Sequence, residues 1–217
     1  MQLTRERIIT AAMELIERDG ANAVSMRRIA SELGTGVMSL YNYVPSRAAL
    51  LDGVADQVMS SIELTIDPGA SWEDQVRAQA RAFQQIARTY PRCTMVVVSR
   101  PADSPATLRP VELALATFRS AGFGGEDAVR AVRAFIAYIV GSLVREVGVT
   151  PGLEPQRPLG QDPAILAADR PILNPAEFPQ VTSLTAELMR RDHDADFEFG
   201  LDLLVRAVAD LRPARRS

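Results

Sequence analysis

The sequence contains one cysteine, one histidine and no lysine. A single cysteine, Cys93, excludes an internal disulfide and a metal site built from several cysteines. Long apolar runs are also missing, because an arginine or an aspartate interrupts each of them before it reaches the length of a membrane span. Residues 1–7 lack the apolar stretch of a signal peptide. These absences predict a cytoplasmic protein with no membrane partner.

Groups that carry covalent chemistry are equally scarce. Cys93 and His193 are each solitary and lie far apart in the sequence, so no pair of nucleophile and base is evident. The glycine-rich run at 122–125 follows a predicted helix rather than a strand, unlike the phosphate-binding loop of a nucleotide enzyme. We therefore expect no catalytic residue, no metal site and no cofactor, and an enzyme is the less favoured interpretation.

The overall charge of the chain does not by itself indicate a nucleic-acid partner. The chain has 24 basic residues, all arginine, against 27 acidic ones, and its formal net charge is −3. An average over the chain can conceal a local basic surface, because phosphate attraction depends on the charge at the contact itself. Hydrophobic residues make up 47% of the chain, which is enough for a sizeable core.

Apolar residues recur at helical spacing through most of the chain and predict an all-α fold with no strand. A turn at Asp67-Pro68-Gly69 suggests a boundary between a domain at 1–66, which includes a connecting helix, and a larger domain at 67–217. Residues 148–180 are rich in proline and glycine and predict a long surface loop, with short helical pieces at 163–168. The predicted helices lie at 4–20, 26–33, 37–43, 46–62, 71–90, 106–121, 126–147, 181–191 and 194–211.

Two short helices around Gly34 form the most informative stretch. A pair of helices joined by a glycine-containing turn can cross steeply and place the second helix in a major groove. If Ile29, Leu40 and Val44 pack inward, the second helix presents its other side chains outward. Asn42 can then pair with a base edge, and Val37 or Met38 can contact a thymine methyl group. The candidate phosphate-binding residues are Thr35, Ser39, Tyr41 and Tyr43, flanked by Arg27, Arg28 and Arg47.

A plain helical hairpin with solvated arginines would explain the helix-glycine-helix pattern alone. The outward Tyr41-Asn42-Tyr43 run beside arginines favours DNA binding over that alternative, because mere solvation does not account for exposed aromatic residues.

The residues of this region resemble the TetR family of transcriptional regulators. The matching pattern runs Arg27-Arg28-Ile29-Ala30 with Leu33-Gly34, then Leu40-Tyr41 with Tyr43-Val44, then Ser46-Arg47 with Leu50-Leu51. The later part of the chain is similar to the body of the tetracycline-responsive members. The resemblance implies an N-terminal three-helix helix-turn-helix DNA-binding domain followed by a larger helical domain for ligand binding and dimerisation.

The resemblance also implies a homodimer, in which the helix at 126–147 and the last helix pair with their mates as a four-helix bundle. Both helices are apolar over a wide face, which favours the same expectation, although each could pack only on its own core. The expected interface residues are Val132, Ile136, Ile139, Val140, Leu143, Phe197, Leu201, Leu204 and Val208.

An effector site is implied by position within the same family. Glu63 and Val96 stand where the tetracycline-responsive members use histidines, so the likeness does not extend to a magnesium-bound drug. A buried Arg100 would need a carboxylate such as Glu112 or an anionic group of the ligand, whereas an exposed Arg100 would not. Expected effector-binding residues are Glu63, Gln79, Phe83, Val96, Ser99, Arg100, Phe118, Phe135 and Tyr138, around a small, largely apolar molecule.

The sequence thus predicts a repressor that binds a palindromic double-stranded DNA operator as a homodimer and is released by a small molecule. Alternatives are a regulator of the same type that activates transcription, and one that binds DNA without an effector.

Overall fold

A computed structural model of the protein describes residues 2–64, 67, 69–147, 174–190 and 192–211, and every regular element within these ranges is helical. This confirms the all-α fold. The helices are α1 (Arg5–Asp19), α2 (Met26–Glu32), α3 (Val37–Tyr41), α4 (Arg47–Ser60), α5 (Trp72–Thr89), α6 (Pro91–Val98), α7 (Pro105–Ser120), α8 (Gly125–Val147), α9 (Pro179–Ser183), α10 (Thr185–Met189) and α11 (His193–Ala209), with a 3₁₀ turn at Ala21–Ala23.

Side-chain caps explain where the early helices begin. Thr4, Ser25 and Ser46 each accept a hydrogen bond from the backbone N–H three residues later, at 3.3, 3.2 and 3.0 Å. Ser71 does the same for α5, at 3.1 Å from the Asp74 amide. A hydroxyl in this position satisfies one of the amides that the first helical turn leaves unpaired. The sequence therefore specifies these helix starts locally.

The first core lies among α1, α2, α3 and α4, and it holds the helix-turn-helix together. Its centre consists of fully buried aliphatic side chains, among them Ile8, Leu15, Ile29, Leu40 and Leu50. Helix α6 packs on α1 and α4 from the other side. The recognition region is thus attached to the rest of the protein through α1, α4 and α6.

The second core lies among α5, α7, α8 and α11. Four aromatic rings meet at its centre, with the Trp72 centroid 5.6 Å from Phe118 and 5.1 Å from Phe123. Phe118 also stacks at 5.9 Å against Phe135 of α8. Offset and edge-on ring pairs at such distances add to the stabilisation from area burial.

Helix α6 belongs to both cores. Cys93 and Val96 are buried in the first core, and Met95 is buried in the second. The proposed domain boundary near 67 therefore divides the chain by sequence, while α6 bridges the two cores in space.

The predicted loop in the later part of the chain can be compared with the structure only at its end. The predicted loop at 148–180 and its short helix at 163–168 lie mostly or wholly outside the described residues. Its described end differs from the prediction, because helix α9 already begins at Pro179. Among the helices of the described ranges, none is long and apolar enough to cross a membrane.

Candidate DNA-binding face and effector cavity

The turn between α2 and α3 sets the direction of the second helix. Gly34 has a φ of +62°, a left-handed conformation that a residue without a side chain adopts readily. The Thr35 amide then donates to the Ala30 carbonyl at 2.9 Å, which closes the turn. Leu40 and Val44 are buried in the first core. Because this side of α3 faces inward, the opposite side faces solvent.

The outward side of α3 carries the residues that the sequence placed there. Met38 is 77% exposed, Tyr41 is 43% exposed and Tyr43 is 41% exposed, and Asn42 is exposed between the two tyrosines. Helix α3 ends at Tyr41, earlier than predicted, and Asn42 follows as its C-cap residue. We call Met38, Tyr41, Asn42 and Tyr43 the recognition face. It combines apolar contact surface with hydrogen-bonding groups.

Other residues expected on this face are less accessible. Val37 is half-buried and packs against the first core, so less of its side chain is available to a thymine methyl group than predicted. Thr35 and Ser39 are also half-buried.

Arg27 and Arg28 differ in their surroundings although both are exposed. The Arg28 guanidinium forms an ion pair with Asp19. The Arg27 side chain has no hydrogen bond or ion pair with any residue that the structure describes. Arg27 therefore offers the more available positive charge for a phosphate group.

Arg47 has a structural role that the sequence prediction missed. Its Nε donates to the Val24 carbonyl at 2.9 Å, and a terminal nitrogen donates to the Ala21 carbonyl at 2.8 Å. These bonds join the start of α4 to the chain just before α2. Part of its guanidinium thus positions the helix-turn-helix, a role additional to the phosphate contact that the sequence predicts.

A cavity of about 440 Å³ lies where α4 and α6 meet α5, α7 and α8. Its volume falls in the range of about 300–1,000 Å³ that is usual for small-molecule sites. The walls are mostly aliphatic. The lining residues are Val58, Met59, Phe83, Ile86, Thr94, Val97, Val98, Arg100, Pro101, Ala102, Thr107, Pro110, Val111, Arg133, Ile136, Ala137, Ile139, Val140 and Leu143.

Five of the expected effector-binding residues line this cavity or the space beside it. Phe83 and Arg100 line the cavity itself. Gln79, Phe118 and Phe135 border an adjoining space of about 60 Å³, which Phe83 also lines. The Gln79 amide donates to the Thr117 hydroxyl at 3.0 Å, which orients it.

The remaining four lie elsewhere, and their expected positions are corrected here. Glu63 is exposed beyond the end of α4 and lines none of the described cavities, and Val96 is buried in the first core. The Ser99 hydroxyl donates to the carbonyl of Val96 within its own helix end, at 2.9 Å. The Tyr138 hydroxyl donates to the Phe197 carbonyl at 2.7 Å, so this ring joins α8 to α11.

Arg100 is paired, but not with the expected partner. Its guanidinium forms an ion pair with Asp52 of α4 rather than with Glu112. Asp52 is one helical turn before Asp56, whose carboxylate accepts a hydrogen bond from the Ser104 hydroxyl. Helix α4 is thus connected to the segment after α6 at two successive turns.

The opposite end of α6 is joined to α1. The Glu17 carboxylate accepts hydrogen bonds from the Cys93 amide at 2.8 Å and the Arg92 amide at 3.3 Å. In return, the Arg92 guanidinium donates to the Arg18 carbonyl at 2.8 Å. Burial raises the pKa of the Cys93 thiol, which disfavours the reactive thiolate. Cys93 is therefore a packing residue. The sequence held only a weak signal for this joint, an acidic residue near the end of α1.

Most of the expected dimer contacts are wrong, because they are buried inside the protomer. The buried ones are Val132, Ile139, Leu143, Phe197, Leu201 and Val208. Val140 and Leu204 are half-buried and Ile136 is exposed, so these three still have surface that a mate can reach; Ile136 and Val140, like Ala137, also line the cavity. A side chain that already packs in its own core cannot also form the contact with a mate.

Another side of the same two helices is exposed and apolar. On α11 it carries Phe199, 69% exposed, and Leu203, 52% exposed. On α8 it carries the small residues Ala134, Ala137 and Gly141. We call these five residues the α8–α11 face.

The two halves of the α8–α11 face are adjacent. The Arg145 guanidinium on α8 reaches the Asp196 carboxylate on α11 at 2.8 Å. Gly200 of α11 lies so close to Tyr138 that a Cβ atom there would be 2.4 Å from the tyrosine hydroxyl. Such an approach needs glycine, and it brings the two exposed stripes together.

Two family models match the chain. Residues 8–54 match the family described as "Bacterial regulatory proteins, tetR family". Residues 66–211 match the "Tetracyclin repressor-like, C-terminal domain". Together these matches include both the helix-turn-helix and the helices around the cavity.

Sequence relatives belong to the same class. The chain is 32% identical over 220 residues to the HTH-type transcriptional repressor DrrR1 of Streptomyces coeruleorubidus. The aligned region covers 99% of this chain and 80% of the relative. It is 25% identical over 208 residues to the class D tetracycline repressor protein of Escherichia coli, with 94% of this chain and 88% of the relative covered.

Solved structures have the same architecture. The TetR family protein ActR of Streptomyces coelicolor, in complex with actinorhodin, superposes with a TM-score of 0.82 at 25% sequence identity. The superposition covers 99% of this chain and 100% of ActR.

Proposed function

The chain belongs to the TetR family of bacterial regulatory proteins, and we propose that it represses transcription by binding a palindromic operator as a homodimer. In this proposal a small molecule in the 440 Å³ cavity releases the DNA. The family consists of transcriptional regulators rather than enzymes. Operator binding would place the protein in the cytoplasm with the chromosome.

The observation that carries the proposal is the exposure of the recognition face. Tyr41, Asn42 and Tyr43 are all exposed, while Leu40 between Ser39 and Tyr41 is fully buried. A rigid attachment with an outward polar and aromatic surface fits a DNA groove. Asn42 would read a base edge, Met38 would contact a thymine methyl group, and the tyrosine hydroxyls with Arg27 would contact phosphates.

Dimerisation would use the α8–α11 face. Phe199 and Leu203 are large apolar side chains that are more than half exposed, and Ala134, Ala137 and Gly141 permit close helix approach. A two-fold axis through this face repeats the recognition face once in each protomer. The two copies would then contact half-sites about one DNA turn apart, roughly 34–36 Å.

Release would follow from the position of the cavity. Val58 and Met59 of α4 form part of its wall, and α4 begins at Arg47, which is bonded to the chain before α2. A ligand that favours a different position of α4 therefore favours a different spacing of the recognition faces. The coupling is reciprocal, because DNA weakens ligand binding by the same factor. The relatives support repression and an effector, since DrrR1 is a repressor and ActR is seen in complex with actinorhodin.

The direct test is selection of duplexes from a random library by the purified protein. We expect enrichment of a palindrome whose half-sites lie about one turn apart. A triple variant of the recognition face, Met38→Ala with Tyr41→Ala and Asn42→Ala, should enrich nothing above background. An enriched site without two-fold symmetry would contradict the homodimer, and no enrichment by the wild type would contradict operator binding.

A further inference from the structure

The cavity has a strong charge asymmetry. Two arginines, Arg100 and Arg133, line it, and none of the described residues that line it is acidic. Its other polar lining residues are Thr94 and Thr107, whose hydroxyls donate to the carbonyls of Tyr90 and Ser104. The remaining walls are apolar. Such a site combines largely apolar walls with two cationic side chains, of which Arg133 is exposed to solvent.

Arg133 is the unexplained member of this pair. It lies on α8 one turn before Ile136 and Ala137, which also line the cavity. Its side chain has no hydrogen bond or ion pair with any residue in the described ranges. Its neighbour one turn earlier, Arg130, is instead paired with Glu126 and is outside the cavity lining. An available guanidinium at the edge of a largely apolar cavity points to an anionic ligand.

Arg100 differs because an internal anion already neutralises it. Its partner, Asp52, lies on α4 and is exposed, while the Arg100 side chain is only 23% exposed. An acid group entering the cavity would therefore compete with Asp52 for the same guanidinium. Asp52 is on the helix that carries the recognition region, so this competition bears directly on the attachment of α4.

We propose that the cavity binds an organic anion, an apolar ring system with one acid group that Arg133 and Arg100 bind. This inference rests on the proposed function in taking the cavity as the effector site. Arg133 attracts and holds the acid group. The same group then replaces Asp52 at Arg100, which removes one of the two links between α4 and the segment after α6.

Two fluorescent probes of nearly the same skeleton test the charge requirement. Anilinonaphthalene sulfonate carries an acid group, and phenylnaphthylamine is its uncharged counterpart. Titration of the purified protein without DNA should show tighter binding of the sulfonate. A charged hydrogen bond in such a site corresponds to about tenfold in affinity. Equal affinities for the two probes, or no binding of the sulfonate, would overturn the proposal.

Variants assign the effect to the cavity. Arg133→Gln should weaken the sulfonate by about tenfold and leave phenylnaphthylamine unchanged. Arg130→Gln is the matched control on the same helix and should change neither affinity. Equal loss of both probes in Arg133→Gln would show a packing role and contradict the charge role. Thermal melting of each variant by circular dichroism checks that the fold is retained.

Asp52→Asn gives a test of opposite sign. Removal of the competing carboxylate should strengthen sulfonate binding by about threefold, since Arg100 is then unpaired. Unchanged or weaker binding would refute the competition at Arg100. Operator binding is measured separately on the selected duplex. If the wild-type protein prefers the sulfonate probe but selects no duplex, the proposed repressor function is contradicted. If it selects a palindromic duplex but binds both probes equally, only the anionic ligand is contradicted.

Discussion

The recognition face and the α8–α11 face are both exposed and both contain large apolar side chains, but their chemistry differs. Around Met38, the recognition face presents two phenol hydroxyls and an amide, and Arg27 is exposed on the preceding helix. The α8–α11 face presents Phe199 and Leu203 beside alanine and glycine. The first surface offers hydrogen-bonding groups, and the five residues of the second offer shape and apolar area. Exposure alone therefore does not identify a partner, whereas the polar groups beside the exposed carbons do.

The two surfaces also differ in how they are held. Leu40 and Val44, both buried in the aliphatic first core, position the recognition face. Helix α11 is held from α5 by ion pairs, Arg77 with Asp202 at 3.0 Å and Arg81 with Glu198 at 2.7 Å. Packing resists small rotations strongly, while exposed ion pairs contribute little each. Helix α11 is also packed in the second core through Phe197, Leu201 and Val208, so both surfaces rest on buried side chains and α11 has the ion pairs in addition.

Leu203→Arg should have the largest effect. A charge placed in the centre of an apolar interface should weaken the dimer at least about 30-fold, because it is desolvated without a partner. Operator affinity should fall with it. Sedimentation or light scattering measures the association. Leu108→Arg changes a leucine on α7 that is 45% exposed, against 52% for Leu203, and is the control. An intact dimer in Leu203→Arg would remove the α8–α11 face from the interface.

Asn42→Ala should come next and tests the recognition face. The selected palindrome should lose about 1–3 kcal/mol of binding free energy, because a base-edge contact disappears, while random DNA is unaffected. Asn174→Ala, at an exposed asparagine far along the chain, provides the comparison. Equal losses on both kinds of DNA would assign Asn42 to the phosphate backbone. Fluorescence anisotropy with the two duplexes gives the measurement.

Arg27→Ala and Arg47→Ala should distinguish a residue that only contacts phosphate from one that also positions the helix-turn-helix. Arg27→Ala should weaken binding to all DNA and reduce the salt slope by about 1, because one phosphate contact is lost. Arg47→Ala should in addition lower the free energy of unfolding by about 1 kcal/mol for each backbone bond lost, and Arg47 forms two. Calorimetry together with salt titration distinguishes them. A stable Arg47→Ala protein would contradict the positioning role.

Glu198→Gln should have the smallest effect. Its hydrogen bonds with Arg81 lower the pKa of Glu198. A lowered pKa in the folded protein means that the stabilisation is present above the unfolded pKa and disappears as the pH falls through the folded value. The variant should therefore be less stable by under about 1 kcal/mol at neutral pH and equal to the wild type in acid. Melting curves across pH test this, and a difference that persists in acid would point to packing.

Sequence reasoning recovered most of the helices and the exposure of the recognition face. It did not predict α6 as a helix, it predicted one helix at 181–191 where α9 and α10 lie, and it did not identify the exposed sides of α8 and α11. A helix start depends on residues adjacent in the chain, such as Ser25 for α2 and Ser46 for α4, so the sequence pattern was enough to predict it. Helices α8 and α11 are apolar on more than one side. Spacing could not tell which side packs on the protomer, and Leu201 was assigned to the mate although it is fully buried.

The cavity was predicted only in part for a related reason. Phe83 and Arg100 were expected from position in a resembling family, and both line it. Arg133 and Asp52 were missed, because nothing local marks them. An arginine on a helix looks solvated until the elements around it are placed, and a carboxylate distant in sequence becomes a partner only through the crossing of α4 with the segment after α6.

By itself, the sequence determined the all-α fold, the helix starts and the outward run at Tyr41–Tyr43, since caps, periodicity and turn glycines act over a few residues. Only the tertiary structure decided which apolar side of α8 and α11 remains exposed, which anion meets Arg100, and where Arg133 stands. Those outcomes depend on contacts between helices that are far apart in the chain. Such contacts form only when the whole protein packs, and they decide which apolar side is buried and which charges pair.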